Sequence, residues 1–104
     1  MTEHAVVTTT TDSEAAAVAL ARGLVEARLA ACVQVSGPVR SVYRWDGAIQ
    51  DEQEWQLWVK TRAALVEQVT AWVQEHHGYD VPELLVLPAT GSEPYLRWLD
   101  EETT

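Results

Sequence analysis

The order of elements along this chain predicts an α+β domain of the split βαβ kind: strand, helix, strand, strand, helix, strand, with a short helix added at the C-terminus. Three observations carry that prediction. Two segments repeat apolar residues at helical spacing, Asp46-Gly47 is a strong two-residue hairpin signal between long strand candidates, and Leu84 to Leu87 is an unbroken apolar run of strand length. Right-handed crossovers in this order lay both main helices on one face of an antiparallel sheet. At 104 residues the chain is expected to form a single domain, residues 1–104.

Each element has its own warrant. Ala5 to Thr10 is rich in β-branched residues and reads as a first strand. Thr11-Asp12-Ser13-Glu14 matches a capping box, with Thr11 as the cap and Glu14 three residues on. A helix follows to about Arg28, with Ala17, Leu20, Ala21, Leu24 and Val25 at helical spacing. Ala31 to Val35 is a second strand, which Ser36-Gly37-Pro38 is expected to break. Val39 to Trp45 then alternates toward the hairpin turn, and a return strand runs from about Ala48 to Thr61, interrupted by Asp51-Glu52-Gln53-Glu54. The hairpin is long for the domain, so its tip is expected to stand beyond the body. A second helix covers about Ala63 to His77, with Leu65, Val66, Val69, Trp72, Val73 and His76 on one face and Gly78 where a left-handed cap belongs. Glu83 to Leu87 is expected to be a strand buried on both faces and closed by Pro88. Ser92-Glu93-Pro94 opens the last helix, Tyr95 to about Glu101.

Composition narrows the function classes. A formal charge of -9 and a pI near 4.6 argue against nucleic acid and against anionic membrane surfaces. No apolar run approaches a membrane span, and Met1-Thr2-Glu3-His4 does not look like a secretory signal, so cytoplasmic residence is expected. The single cysteine, Cys32, agrees with a reducing compartment. Five tryptophans and no phenylalanine is unusual aromatic usage. Trp55 and Trp58, three apart on one strand, point to opposite faces, so both faces need a cover, and a second subunit can supply one. No Gly-rich phosphate loop, zinc-finger spacing or His-Glu-x-x-His motif occurs.

Several segments, taken in order, resemble the CutA divalent-cation-tolerance proteins. They are Arg28-Leu29-Ala30-Ala31-Cys32-Val33, Ser41-Val42-Tyr43-Arg44-Trp45-Asp46-Gly47, Val59-Lys60-Thr61, His76-His77-Gly78-Tyr79, Val81 to Pro88 and Tyr95-Leu96-Arg97-Trp98-Leu99. The resemblance runs from about Val6 to Leu99. It implies a ferredoxin-like domain that assembles as a homotrimer of PII-like architecture. It also implies a link to copper and other divalent-metal tolerance, without an established catalytic activity. A trimer would pair the long hairpin and cover the Trp-bearing strand.

The resemblance also supplies candidate site residues. His76 and His77 match histidines that bind copper in some members, and imidazole suits copper, nickel and zinc. Neighbouring helical residues point about 100° apart, however, so the pair cannot easily chelate one ion within a helix. The structural alternative packs His76 on the core face and lets His77 cap the last turn. Cys32 is the one soft ligand, alternatively a small buried hydrophobe, and Thr9 stands where some members carry a first-strand cysteine. Tyr43, Trp45, Glu52, Glu54, Lys60, Tyr79 and Glu83 match positions that gather at a cleft between subunits, either as an ion-pair network or as a small-ligand pocket. Asp51 to Glu54 and the tail Asp100-Glu101-Glu102 read as solvated charge runs. The expected protein is therefore a non-enzymatic homotrimer, needing no cofactor but with copper as a possible metal, acting by weak metal binding or sensing. The alternative is a trimeric regulator that binds a small metabolite in the cleft.

Overall fold

The computed structural model describes residues 3–103. Met1 and Thr2, half of the segment read for a secretory signal, lie outside the described residues, as does Thr104. The elements are β1 (His4–Thr11), α1 (Glu14–Glu26), β2 (Cys32–Trp45), β3 (Ala48–Arg62), α2 (Val66–His76), β4 (Leu85–Ala89) and α3 (Glu93–Glu102), with a single 3-10 turn at Ala63–Leu65 leading into α2. The four strands form one antiparallel sheet in the order β2-β3-β1-β4. Together with the βαββαβ chain order, that is the ferredoxin-like arrangement.

The core lies between the sheet and its two main helices. Val7, Leu57 and Val59 meet Ala17, Leu20 and Leu24 of α1 and Val69 and Val73 of α2, all buried. Burying side chains of this size stabilises the fold by about 1.5–3 kcal/mol each. The helices approach closely because α1 carries Gly23 at the crossing. A Cβ there would stand 2.5 Å from the Trp72 ring.

By strand alternation, His4, Val6, Thr8, Trp58, Lys60 and Arg62 face away from the helices. Part of that opposite face is covered by α3. His4 Nε2 lies 2.8 Å from Asp100 Oδ1, the Arg62 guanidinium donates to Thr103, and the Lys60 ammonium stands 5.7 Å from the Tyr95 ring. The rest is open and apolar, with Trp58, Leu85 and Leu87 exposed.

Several sequence expectations need correction. The α1 cap is Ser13, whose hydroxyl accepts from Ala16 N–H, while Thr11 donates its own hydroxyl to the Ser13 carbonyl. β2 runs through Ser36-Gly37-Pro38, because a register shift between Ser36 and Val39 absorbs the proline without ending the strand. β3 is not interrupted at Asp51 to Glu54, since pairing with Val39 to Val42 holds the charged residues extended. The chain leaves α2 at His77 in an extended conformation, so Gly78 is not a left-handed cap. The largest difference concerns β4. It is an edge strand with Leu85, Val86 and Leu87 exposed in the single chain, and Pro88 lies within it, as an edge tolerates. An apolar run alone cannot tell a strand buried by its own chain from one left for another surface to cover.

Candidate functional site

The His76-His77 pair divides at the end of α2. His76 is exposed and stacks on Trp72, with ring centroids 3.9 Å apart. Its Nδ1 lies 2.8 Å from the Trp72 carbonyl, which can only accept, so Nδ1 carries the proton and Nε2 of the neutral ring keeps a lone pair. The half-buried His77 is tied at both nitrogens. Nε2–H donates to the Thr10 carbonyl at 2.7 Å, and Nδ1 accepts from Tyr79 N–H at 3.0 Å. His77 thus fixes the loop after α2 against β1, and no lone pair is left for a metal. Of the two structural roles expected, the bond to a last-turn carbonyl belongs to the exposed His76 and packing to the half-buried His77, the reverse of the sequence reading.

Cys32 does not join them. It pairs with Lys60, which pairs with Val6, whereas His77 bonds Thr10, four residues further along β1. Four strand residues span about 13 Å, and Cys32 also lies two strands across. Among the described residues no three His, Cys, Asp or Glu side chains come together in a way that could hold a metal ion.

The candidate cleft residues fall into separate groups. Tyr79 O–H donates to Glu54 Oε2 at 2.9 Å, and the Glu54 side chain is buried although it belongs to a charged run. The phenol of Tyr79 is pushed well above its ordinary range, first by burial, then by its hydrogen bond to Glu54 and the charges of Glu54 and Asp12. The Tyr43 phenol is raised as well, first by loss of water and then by Glu52 and Glu54. Glu54 thus acts on both phenols, with Glu52 beside Tyr43 and Asp12 reaching Tyr79. Asp51 is drawn off instead by a bidentate pair with Arg40, 2.7 and 2.8 Å, which lowers its carboxyl and raises the guanidinium. Lys60 lies against Tyr95, Glu83 accepts from Thr8 Oγ1 at 3.1 Å, and the exposed Trp45 sits at the hairpin tip.

Four participants escaped the sequence reading. Trp72 stacks on His76 from the preceding turn, and its i,i+4 spacing is a signal that could have found it. Thr8 and Thr10, which hold Glu83 and His77, are 75 and 67 residues from their partners, and nothing local marks them. Asp12 was read only as part of a helix cap, yet its charge reaches Tyr79.

A ferredoxin-like sheet with two helices on one face and an open apolar opposite face, carrying a long hairpin, defines an α+β domain with a large exposed surface beside its edge strand. The family model described as CutA1 divalent ion tolerance protein matches residues 5–102, and the chain belongs to that family. The divalent-cation tolerance protein CutA of Thermus thermophilus is 43% identical over 99 residues, which cover 94% of this chain and 96% of that one. The chloroplastic CutA of Arabidopsis thaliana is 46% identical over 85 residues, 81% of this chain but 47% of its own length. The chain spans about half the length of the Arabidopsis, Xenopus, mouse and human relatives it matches. Among solved structures, CutA from Synechococcus elongatus superposes with a TM-score of 0.95 at 38% identity, covering 100% of this chain and 93% of that chain. One titled periplasmic, from Archaeoglobus fulgidus, has a TM-score of 0.92 at 33% identity, covering 95% and 97%.

Proposed function

We propose that the chain acts in divalent-cation tolerance as a non-enzymatic homotrimer that binds cations weakly between its subunits. The observation that carries this reading is the open sheet face. Trp58, Leu85 and Leu87 lie exposed together beside an unpaired edge strand, next to Tyr95 and Trp98 of α3, and exposed apolar surface of this kind marks an interaction site. A second copy of the chain is the partner the family resemblance implies. The metal reading then shifts from the histidine pair to the Glu52–Glu54 neighbourhood, whose ligand set one subunit leaves short and a neighbour completes. Oxygen ligands favour hard divalent ions, although for a given site copper still binds most tightly of the first-row series. Cytoplasmic residence remains our proposal, supported by the lone free Cys32. Relatives carry chloroplastic and periplasmic names.

Light scattering and calorimetry test the two halves together. The wild type should show three times the 11.6 kDa chain mass and a saturable heat on titration with copper. Leu85→Arg/Leu87→Arg should give monomers that have lost the heat while keeping the fold. A monomeric wild type at micromolar concentration overturns the assembly, and a monomer that still binds overturns the shared site. A second reading, a small anionic metabolite held in the cleft, is favoured by Lys60, the sequence's single lysine, which has no ion-pair partner among the described residues.

A further inference from the structure

On the helix layer, away from the open sheet face, a groove of about 450 Å³ runs between the start of α1 and the end of α2. That volume falls in the range of small-molecule sites, about 300–1,000 Å³. Its floor is a line of small residues one helical turn apart, Ala16, Ala19 and Gly23. Its wall is the stacked pair of Trp72 and His76, with Asp12 and His77 at the end nearest β1.

The hydrogen-bond inventory of this groove is one-sided. The Thr11 hydroxyl donates to the Ser13 carbonyl, His77 Nε2–H to Thr10, His76 Nδ1–H to Trp72 and the Tyr79 phenol to Glu54. These lining donors are thereby taken up within the protein, the Trp72 indole N–H excepted. Beside that one donor two acceptors remain: the Nε2 lone pair left by the His76 tautomer and the carboxylate of Asp12, which has no hydrogen-bond or ion-pair partner among the described residues. The negative end of the α2 dipole points the same way, the positive start of α1 is offset by its own acidic residues Asp12 and Glu14, and the chain carries a net charge of -9. An apolar trough that offers acceptors and negative potential selects a ligand that brings donors and positive charge.

We propose that this groove binds a small organic cation, an amine whose apolar body lies along Ala16, Ala19 and Gly23 and whose N–H groups are received by His76 Nε2 and Asp12. The aromatic wall adds to the attraction for a cation. The groove lies within one subunit and off the open sheet face, and it meets the Glu54 neighbourhood only through Tyr79 and Asp12, so its filling by Ala19→Phe tests it apart from the assembly.

Benzylamine is the probe, with benzyl alcohol and benzoate as neutral and anionic ligands of similar shape, followed through backbone amide shifts. Benzylamine should bind saturably with a Kd on the order of 1 mM, as fits a fragment of this size, and move the Gly23 and Gly78 amides. Asp12→Asn should weaken it roughly tenfold, the effect of losing a charge-assisted hydrogen bond. Ala19→Phe, which fills the trough from an exposed position, should abolish it while leaving the remaining spectrum unchanged. Absence of saturable shifts, equal binding of benzoate or benzyl alcohol, or binding that survives Ala19→Phe would each overturn the proposal.

Discussion

Replacing Tyr79 by Phe removes one oxygen and isolates the contact around which the candidate cleft is built. The lost hydrogen bond is 2.9 Å long and ends on Glu54, a carboxylate that is 7% exposed and has no cation partner among the described residues. Hydrogen bonds to charged groups contribute about 1.5–3 kcal/mol. Tyr79 is only half-buried, so water partly replaces the hydroxyl and the lower figure applies. A loss of about 1.5 kcal/mol moves the melting temperature of a domain this size by roughly 6–12 °C. Urea unfolding at fixed protein concentration, in a cycle with Glu54→Ala, separates the pair from other effects of each change. The phenol also predicts a pH dependence. Its pKa is raised in the folded state, so its contribution is complete below the ordinary tyrosine value near 10 and is lost as pH climbs above it. Tyr79→Phe should therefore flatten the alkaline limb of the stability profile, leaving the smaller share due to Tyr43. A coupling energy below about 0.3 kcal/mol, together with an unchanged alkaline limb, would refute the claim that Glu54 is held by Tyr79.

Other substitutions probe the supporting structure. Gly23→Ala sets a Cβ 2.5 Å from a Trp72 ring that His76 pins from behind, and overpacking of about 1–3 kcal/mol should exceed the helix-propensity gain of about 1, read as a lower urea midpoint. Thr9→Val should stabilise by about 1 kcal/mol, since the Thr9 hydroxyl is fully buried without a partner among the described residues; a destabilised variant would show that the hydroxyl is bonded in solution. Asp100→Ala leaves the buried His4 imidazole without its bond and should cost about 1–3 kcal/mol, with faster amide exchange confined to α3.

The elements were largely legible in the sequence because each rests on local physics. The Asp46-Gly47 turn is the clearest case, both residues adopting the positive φ the hairpin demands, 52° and 77°. Thr11 and Ser13 both fit a cap by type, and only the geometry of the chain entering α1 decides between them. β2 and β3 outlast their apparent breakers because each strand's partner supplies the ladder, a long-range effect that composition does not record. The site was less legible. Tyr79 and Glu54 could be singled out by resemblance, but their 25-residue separation hides the bond, and the role of His77 depends on a carbonyl contributed by a distant strand. The apolar β4 was read as buried because an unbroken apolar run does not record whether its own chain covers it.

The most direct test of where a cation meets this protein is anomalous difference density from crystals soaked in copper(II). The account predicts a peak beside Glu52 and Glu54, with further ligands contributed by a neighbouring subunit and none from His77. A peak coordinated by His76 and His77 together, or density at no protein side chain, would contradict it.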